Sequence, residues 1–507
     1  MKGNIHERSI KQSVDWALIV TYLILTLIGW LSIYASIRSS EPPSIFDFDF
    51  RSGKQFVWML SAYGLAGIII FFVNPRIWEA FAPHLYIIVG VLLVAVIFLG
   101  TAVKGSRSWF VFGPVSFQPA EVSKITTSLL LAAVMSRSDF SMTRMKDFFK
   151  VAAIMAIPML IILGERETGS ALVYLGFIFV LYREGFSGWF LSLLGLAIII
   201  FITTLTASPY VSIMILIGVV TFCNAISEKH FWRMLLFLGI FILVGSLFPW
   251  IWGLITDSVA ASIQKISDTY TVTLPGREPR VFWSFLLKIK PIYFLIAVCL
   301  GALPHFAVRA FRGKNVFGGV SVITFIVGLA LVFSTQFIFE KVLQEHQRQR
   351  IEVLLGMRDD PTGVGYNVNQ SMIAIGSGGF FGKGFLKGTQ TAYGFIPEQS
   401  TDFIFCTIGE EWGFIGCLAV IGLYVFLIAR IIIDAEECRE KFTRIYGYCV
   451  ASCIFMHLFI NIGMTIGIMP VIGIPLPMLS YGGSSLWAFT VLIFIFIALH
   501  REEKKYY

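Results

Sequence analysis

Asp402 lies in the stretch PEQSTDFIF (397–405), directly before a run of membrane-like residues. A carboxylate at such a border has two uses. It caps the helix that starts there, accepting from first-turn amides that have no partner. Or it is a general base that takes a proton from a hydroxyl nucleophile. Other residues have the types that handle charged substrates. Arg348 and Arg350, in HQRQRIEVLL, carry planar forks suited to phosphate, or else form a solvated basic face. Lys383 lies in IGSGGFFGKGFLKGTQ, where glycines let backbone amides approach an anion closely. This is not a P-loop: Ser377 replaces its first glycine, and Gly384 follows Lys383 where Ser or Thr is required. Glu121 and Lys124, in FGPVSFQPAEVSK, are three apart at the start of an apolar helix and can pair on one face. A charge at bilayer depth costs roughly 2.5–3.5 kcal/mol, so such a pair either staples helices or takes part in function. Glu165, Arg166 and Glu167, in GERETGS, fill a short connection as a solvated turn or as the lining of an external cavity.

The elements that must position these groups are membrane helices. Of 507 residues, 57% are hydrophobic and 14% charged, and mean hydropathy is +0.80. A soluble domain is about a quarter charged. Apolar runs long enough to cross a bilayer recur along the chain. We read spans near 16–37, 55–74, 81–101, 119–136, 149–164, 169–183, 189–207, 210–227, 235–255, 291–311, 316–339, 405–433, 445–468 and 484–500, about fourteen in all. The first is too long, and lacks the small-residue cleavage pattern, for a cleaved signal peptide. The net charge of +8 reflects basic loops rather than nucleic-acid binding. The seven cysteines are scattered without a CxxC, as small buried hydrophobes.

Basic residues set the orientation. Lys2, Arg8 and Lys11 precede the first span, and Arg501, Lys504 and Lys505 follow the last, so both termini are expected in the cytoplasm. Alternate loops carry Arg144, Lys146 and Lys150, then Arg183, then Lys229 and Arg233, then Arg312 and Lys314, then Arg439, Lys441 and Arg444. The long segments 256–290 and 340–401 fall outside, and Asp402 closes the second. The segment NIGMTIGIMPVIGIPLPMLSYGGSS (461–485) is the densest pattern. Pro470, Pro475 and Pro477 deny helix, and its glycines permit tight backbone. It reads as a re-entrant, cavity-lining segment rather than an ordinary loop.

These motifs resemble one family. GIMPVIGIPLPMLSYGGSS is similar to the signature of the SEDS proteins (RodA/FtsW/SpoVE), with Asn461, Gly467, Pro470, Gly473, Ser480, Gly482, Gly483 and Ser484 at signature positions. IGSGGFFGKGFLKGTQ followed by PEQSTDFIF resembles the family's large external loop, and its GTQ form sides with the elongation branch, RodA. KGSRSWFVFGPVSFQPAEVSK resembles its second external loop and fourth helix. Departures are present. Ser400 stands where histidine is usual, Glu167 where aspartate is usual, and Ser108 where arginine is common.

The resemblance implies an all-α polytopic membrane protein with the SEDS fold. Its ten family helices would be joined here by about four more. Residues 1–188 would hold the first six, 189–315 the insertion with its loop 256–290, and 316–507 the remainder with the large loop 340–401. The implied activity is peptidoglycan glycosyltransfer. Lipid II would be polymerised into glycan strands at the outer face of the cytoplasmic membrane, for elongation and rod shape. Asp402 takes the catalytic role. Trp109, Glu121, Lys124, Glu167, Arg350, Ser480 and Tyr481 fall to substrate binding, with Arg348 and Lys383 as further candidates for the pyrophosphate. A divalent cation, Mg2+ or Mn2+, is expected without a ligand cluster to locate it. Expected partners are lipid II, a class B penicillin-binding transpeptidase and other elongation-complex membrane proteins, with no nucleic acid. A lipid II flippase and a non-catalytic cell-wall scaffold are the rival readings.

Overall fold

The computed structural model describes residues 14–37, 44–103, 106–113, 115–226, 231–273, 289–313, 316–343, 345–357 and 365–506. Lys2, Arg8 and Lys11, on which the expected orientation rests, lie outside these residues. So do Lys229, Lys314 and most of 274–290.

A helix underlies each expected span. Asp15 starts α1 (Trp16–Ala35), accepting from the amides of Ala17 at 2.8 Å and Leu18 at 3.2 Å. Then come α2 (Arg51–Phe71), α3 (Arg76–Leu99), α4 (Pro119–Met135) and α5 (Met145–Gly164). Pro119 opens α4 at the first turn, where its missing N–H costs nothing. The sixth expected span is a broken helix: α6 (Thr168–Val173), a 3-10 turn (Tyr174–Gly176) and α7 (Phe177–Arg183). α8 (Gly188–Thr206), α9 (Pro209–Ile226), α10 (Phe231–Thr273), α11 (Ile292–Gly313) and α12 (Val316–Phe337) follow. After α13 (Glu345–Leu354), α14 (Tyr366–Ser377) and α15 (Thr389–Ala392) come the long helices α16 (Ile404–Glu437), α17 (Lys441–Thr465) and α18 (Gly483–Tyr506). Among the described residues, eight helices are long and apolar enough to cross a membrane: α1, α2, α3, α5, α10, α16, α17 and α18.

Three expectations change. The stretch before α4 is not plain loop but a small antiparallel sheet, β1 (Thr101–Val103), β2 (Ser106–Phe112) and β3 (Val115–Phe117), in order β1-β2-β3. Its aromatic and β-branched residues suit a pleated surface. α10 runs 43 residues, through the start of the expected 256–290 loop. No glycine or proline interrupts the sequence between Gly253 and Pro275. The expected 340–401 loop holds three helices of its own.

The chain forms two compact units, Met1–Phe186 with Asp359–Tyr507, and Ser187–Arg358. α12 and α13 therefore belong with the second unit, not with the C-terminal segment that was expected to begin at 316. In the first unit, α17 and α18 are central: 78% and 72% of their apolar windows are buried, against 22% for α3. α2 packs on α18, α3 on α4, and α17 on both α4 and α16. The second unit has its own core, from Leu196, Ile200, Ile213 and Leu216 to Phe325 and Val332.

The glycines of 378–384 serve the fold. A Cβ on Gly378 would overlap the carbonyl of Gly409, and one on Gly382 would overlap that of Glu411. The amides of Lys383 and Gly384 donate to the carbonyls of Glu410 (3.0 Å) and Glu411 (2.9 Å). The expected approach of backbone to an anion is thus, for these two amides, an approach to α16 itself. Gly413 answers from the helix side with φ +65°, kinking α16 against Gly382. Gly413→Ala should therefore unseat this loop. The expected result is a clear fall in melting temperature with new protease cleavage within 378–388; an unchanged melt and digest would refute it.

Candidate active site

Asp402 stands one place before the N-cap of α16. The residue at the N-cap of α16 is Phe403, and it makes no side-chain capping bond. Thr401 turns its hydroxyl to Glu398. The segment carrying Asp402 is held by its backbone. Asn461, fully buried on α17, donates to the carbonyl of Asp402 (2.8 Å) and to that of Ile474 (2.7 Å). Ser480 donates to the carbonyl of Thr401 (2.6 Å) while accepting from the amide of Leu476 (2.8 Å). The amide of Tyr481 donates to the carbonyl of Ser400 (2.8 Å). Gly473 faces the carboxylate: a Cβ there would lie 3.3 Å from Asp402 Oδ2, and its φ of +76° also favours glycine.

Ser400, in the place where the family motif usually has histidine, accepts from Arg51 Nη1 at 2.5 Å. The Arg51 guanidinium also lies 5.6 Å from the centre of the Tyr481 ring. The sequence reading missed Arg51, and nothing in FDFDFRSGKQ signals it.

One helical turn before Asn461 on α17 is His457, also missed. Lys124 Nζ lies 2.9 Å from Glu121 Oε2 and 2.7 Å from His457 Nε2, and all three side chains are almost fully buried. His457 Nδ1 is 3.1 Å from the carbonyl of Pro475. The consistent tautomer donates from Nδ1 and accepts the lysine proton at Nε2. Glu121 and Lys124 are thus joined through His457 to the segment that also carries Gly473, so pairing and support of the site coincide.

Glu167 accepts from Ser108 Oγ at 3.2 Å. The two departures noted at 108 and 167 are therefore in contact. Trp109 is the next residue on β2, half-buried, its carbonyl accepting from Thr101. Burial raises the Glu167 pKa above its ordinary value, against the lowering by Ser106 and Ser108. Burial also pushes Glu165 up to about 8, and the charge of Glu167 adds to the rise. Glu165 is 2% exposed, and neither of its carboxylate oxygens has a hydrogen-bond partner. Gly169, just along α6, lies against Ile474 and Ile472, which flank Gly473.

Lys383 spends its charge on the fold. Its Nζ lies 2.7 Å from Glu410 Oε1, and Glu410 also accepts from Thr389, from the amide and hydroxyl of Thr391 and from the amide of Gln390. Arg348 and Arg350 belong to the second unit, on α13, where Arg348 Nε pairs with Glu352 at 3.2 Å and Arg350 is partly buried.

At the far end of α16, Asp434, Glu437 and His500 group their ligand atoms within 4.8 Å of one another. Arg430 on Asp434 (3.1 Å) and Lys504 on Glu437 (3.5 Å) already supply positive charge there.

The FtsW/RodA/SpoVE model, described as a cell cycle protein, matches residues 15–230 and 312–505. The chain belongs to this family. The match leaves out 231–311, where α10 and most of α11 lie, so two of the four helices of the expected insertion, α8 and α9, lie in family-matched sequence. Among curated relatives, the peptidoglycan glycosyltransferase RodA of Treponema pallidum is 29% identical over 96% of this chain and 98% of its own. The peptidoglycan glycosyltransferase MrdB of Escherichia coli is 29% identical over 85% and 81%. Two solved structures share the fold. One chain comes from a peptidoglycan synthase complex that coordinates polymerization and crosslinking, with TM-score 0.55 and 22% identity over 97% of this chain and 98% of that one. The other is the rod shape determining protein RodA of Thermus thermophilus, with TM-score 0.52 and 20% identity over 97% of each chain.

Removing Lys383 should cost stability, because it strands a buried carboxylate; breaking such a pair costs about 3 kcal/mol. Lys383→Met should lower the melting temperature, and adding Glu410→Gln should recover most of the loss. No recovery in the double variant would show that Lys383 does not stabilise the fold through Glu410.

Proposed function

We propose that this chain is a peptidoglycan glycosyltransferase that polymerises lipid II into glycan strands, with Asp402 as general base. The relatives' names support the activity. The observation that supports the role of Asp402 is its geometry: its backbone is fixed by Asn461, and Gly473 faces its carboxylate.

The acceptor is the 4-hydroxyl of a GlcNAc residue, a poor nucleophile at neutral pH. Asp402 takes its proton as the new bond forms to C1 of the donor sugar. The bond from C1 to the undecaprenyl pyrophosphate breaks, and the electron pair leaves with the phosphate. That charge needs stabilisation. Lys383 is committed to Glu410, so it is not the group we assign to that charge. Both substrates keep their tails in the bilayer, so the reaction runs at the membrane surface. By the positive-inside rule that surface is the outer one, with both termini in the cytoplasm, and the role is in elongation and rod shape. A divalent cation is part of this proposal. Glu165 and Glu167 offer hard oxygen ligands that fit Mg2+ or Mn2+, and a bound ion would supply charge neutralisation to the pyrophosphate. A class B penicillin-binding transpeptidase is the partner we infer, in keeping with the fold shared with a chain of the synthase complex.

The test is polymerisation of lipid II by the purified full chain with its cognate transpeptidase. Asp402→Asn should melt like wild type and make no glycan strands. Equal synthesis by both proteins would remove Asp402 from the chemistry. A wild type that makes none, in the presence of an active partner, would refute the activity and favour a transport role for the buried Glu121–Lys124 pair. Asn461→Ala leaves two carbonyls without their donor, a loss of about 1–3 kcal/mol. It should slow synthesis at least tenfold with Asp402 intact; wild-type turnover would refute the brace.

A further inference from the structure

We infer that a cavity at the end of α16 opposite Asp402 is a docking site for an arginine side chain, presented by the basic membrane-flanking segment of a partner protein. The inference goes beyond the glycosyltransferase reading and takes from it only the cytoplasmic side for this end of α16.

The cavity measures about 190 Å3 and lies within the first unit. Glu79 on α3, Glu440 at the start of α17, and Glu502 and Glu503 on α18 bring four carboxylates to it, against one guanidinium, that of Arg76. Glu79 and Glu440 are exposed, whereas Pro75, Phe442, Thr443 and Leu499 are buried. Acidic groups thus form the rim and mainly apolar residues the floor. Burial raises the Glu440 pKa above its ordinary value, and the charges of Glu503, Glu79 and Glu502 add to the rise against Arg76.

Two buried polar atoms on the lining residues await a partner. Thr443 is 1% exposed, and its hydroxyl makes no hydrogen bond among the described residues; the same holds of Glu503 Oε1. Glu503 spends its other oxygen on the amides of Arg439 (2.9 Å) and Glu440 (3.4 Å). Both atoms are acceptors, and a buried acceptor calls for a donor.

Arginine meets these demands together. Its planar fork donates to two acceptors at once and pairs with carboxylates. Its aliphatic stem can lie along an apolar floor. A metal ion fits less well, because it needs converging oxygen ligands. Asp434, Glu437 and His500 converge in that way, but the cavity's carboxylates form no such group among the described residues. Lys504, close by on α18, does not line the cavity and pairs with Glu437 at 3.5 Å. The source of the arginine follows from the side of the membrane. Membrane proteins carry an excess of Lys and Arg on their cytoplasmic flanks, so basic segments are what an acidic cavity on that face meets.

The experiment is a calorimetric titration of the purified full chain, in an uncharged detergent, with acetyl-triarginine amide. Wild type should bind it. The citrulline analogue, which keeps the shape and loses the charge, should not bind. Glu79→Gln combined with Glu440→Gln, both at the exposed rim, should melt like wild type and weaken binding at least tenfold. Thr443→Val, which keeps the shape and removes the floor hydroxyl, should weaken it at least threefold. Asp139→Asn, at an exposed position outside the cavity, should change nothing. No binding by wild type at millimolar peptide would overturn the site, as would equal binding of the two peptides. Undiminished binding by the double variant or by Thr443→Val, or an equal loss in Asp139→Asn, would do so too. Displacement by Mg2+ at constant ionic strength would make the occupant a metal ion and overturn the arginine.

Discussion

Backbone that is neither helix nor strand must still have its polar groups satisfied when it is buried in a membrane protein. Residues 466–482 are such backbone, with Ile474, Leu476, Met478 and Leu479 almost wholly buried. Side chains from the neighbouring helices complete it. Asn461 takes the carbonyl of Ile474, His457 that of Pro475, and Tyr424 that of Pro477, while Ser480 takes the amide of Leu476. The prolines remove amide donors that would otherwise need partners of their own. Much of the rest of the first unit depends on this arrangement, because the same side chains reach onward. Asn461 and Ser480 also hold the carbonyls of Asp402 and Thr401. His457 also holds Lys124, and through it Glu121. A membrane segment that looks like a packing problem is thereby the part that fixes the carboxylate.

A second constraint acts along α16. Its first turns must meet a loop at van der Waals distance, and only glycine permits that on both sides. Gly378 and Gly382 lie on the carbonyls of Gly409 and Glu411, and Gly413 kinks to meet Gly382. Glu410, fully buried, then gathers the loop through Lys383, Thr389, Gln390 and Thr391. The buried ion pair does not stabilise by Coulomb attraction alone, since burying the carboxylate is costly. It stabilises because several further donors satisfy the same two oxygens.

The helices were legible in the sequence because bilayer spans leave long apolar runs, and each expected run has a helix beneath it. The irregular segment was legible from Pro470, Pro475 and Pro477. Other features left no such trace. The sheet at 101–117 is too short for a period to declare itself. The continuation of α10 lies in polar sequence, where only the absence of glycine and proline speaks for helix. Asp402, Ser480 and Tyr481 were legible through the motif and do come together. His457 and Arg51 were not, because a lone histidine or arginine gives no sign of the distant partner that fixes it: Lys124 lies 333 positions from His457, and Ser400 lies 349 from Arg51. Lys383 was read from its glycine-rich surroundings as an anion binder. Sequence cannot tell glycines that admit a phosphate from glycines that admit a helix, since both need the same missing side chain.

The same logic separates Asp402 from the other acidic residues of its region. Glu410 has its oxygens filled by hydrogen bonds and a lysine, so proton transfer there would cost the fold. Glu398 gives its carboxylate to Thr401 and its φ of +54° to the turn. Asp402 is held through its main chain, by a donor that leaves the carboxylate out of the contact. Support through the backbone restricts where the carboxyl sits by a bond made at the carbonyl rather than at the carboxylate. In this fold the start of α16 carries no side-chain cap, and the residue one place before its N-cap is the aspartate. The helix forgoes an N-cap contact worth about 1 kcal/mol at Phe403, and the main-chain bond from Asn461 fixes the place of the carboxylate just before it.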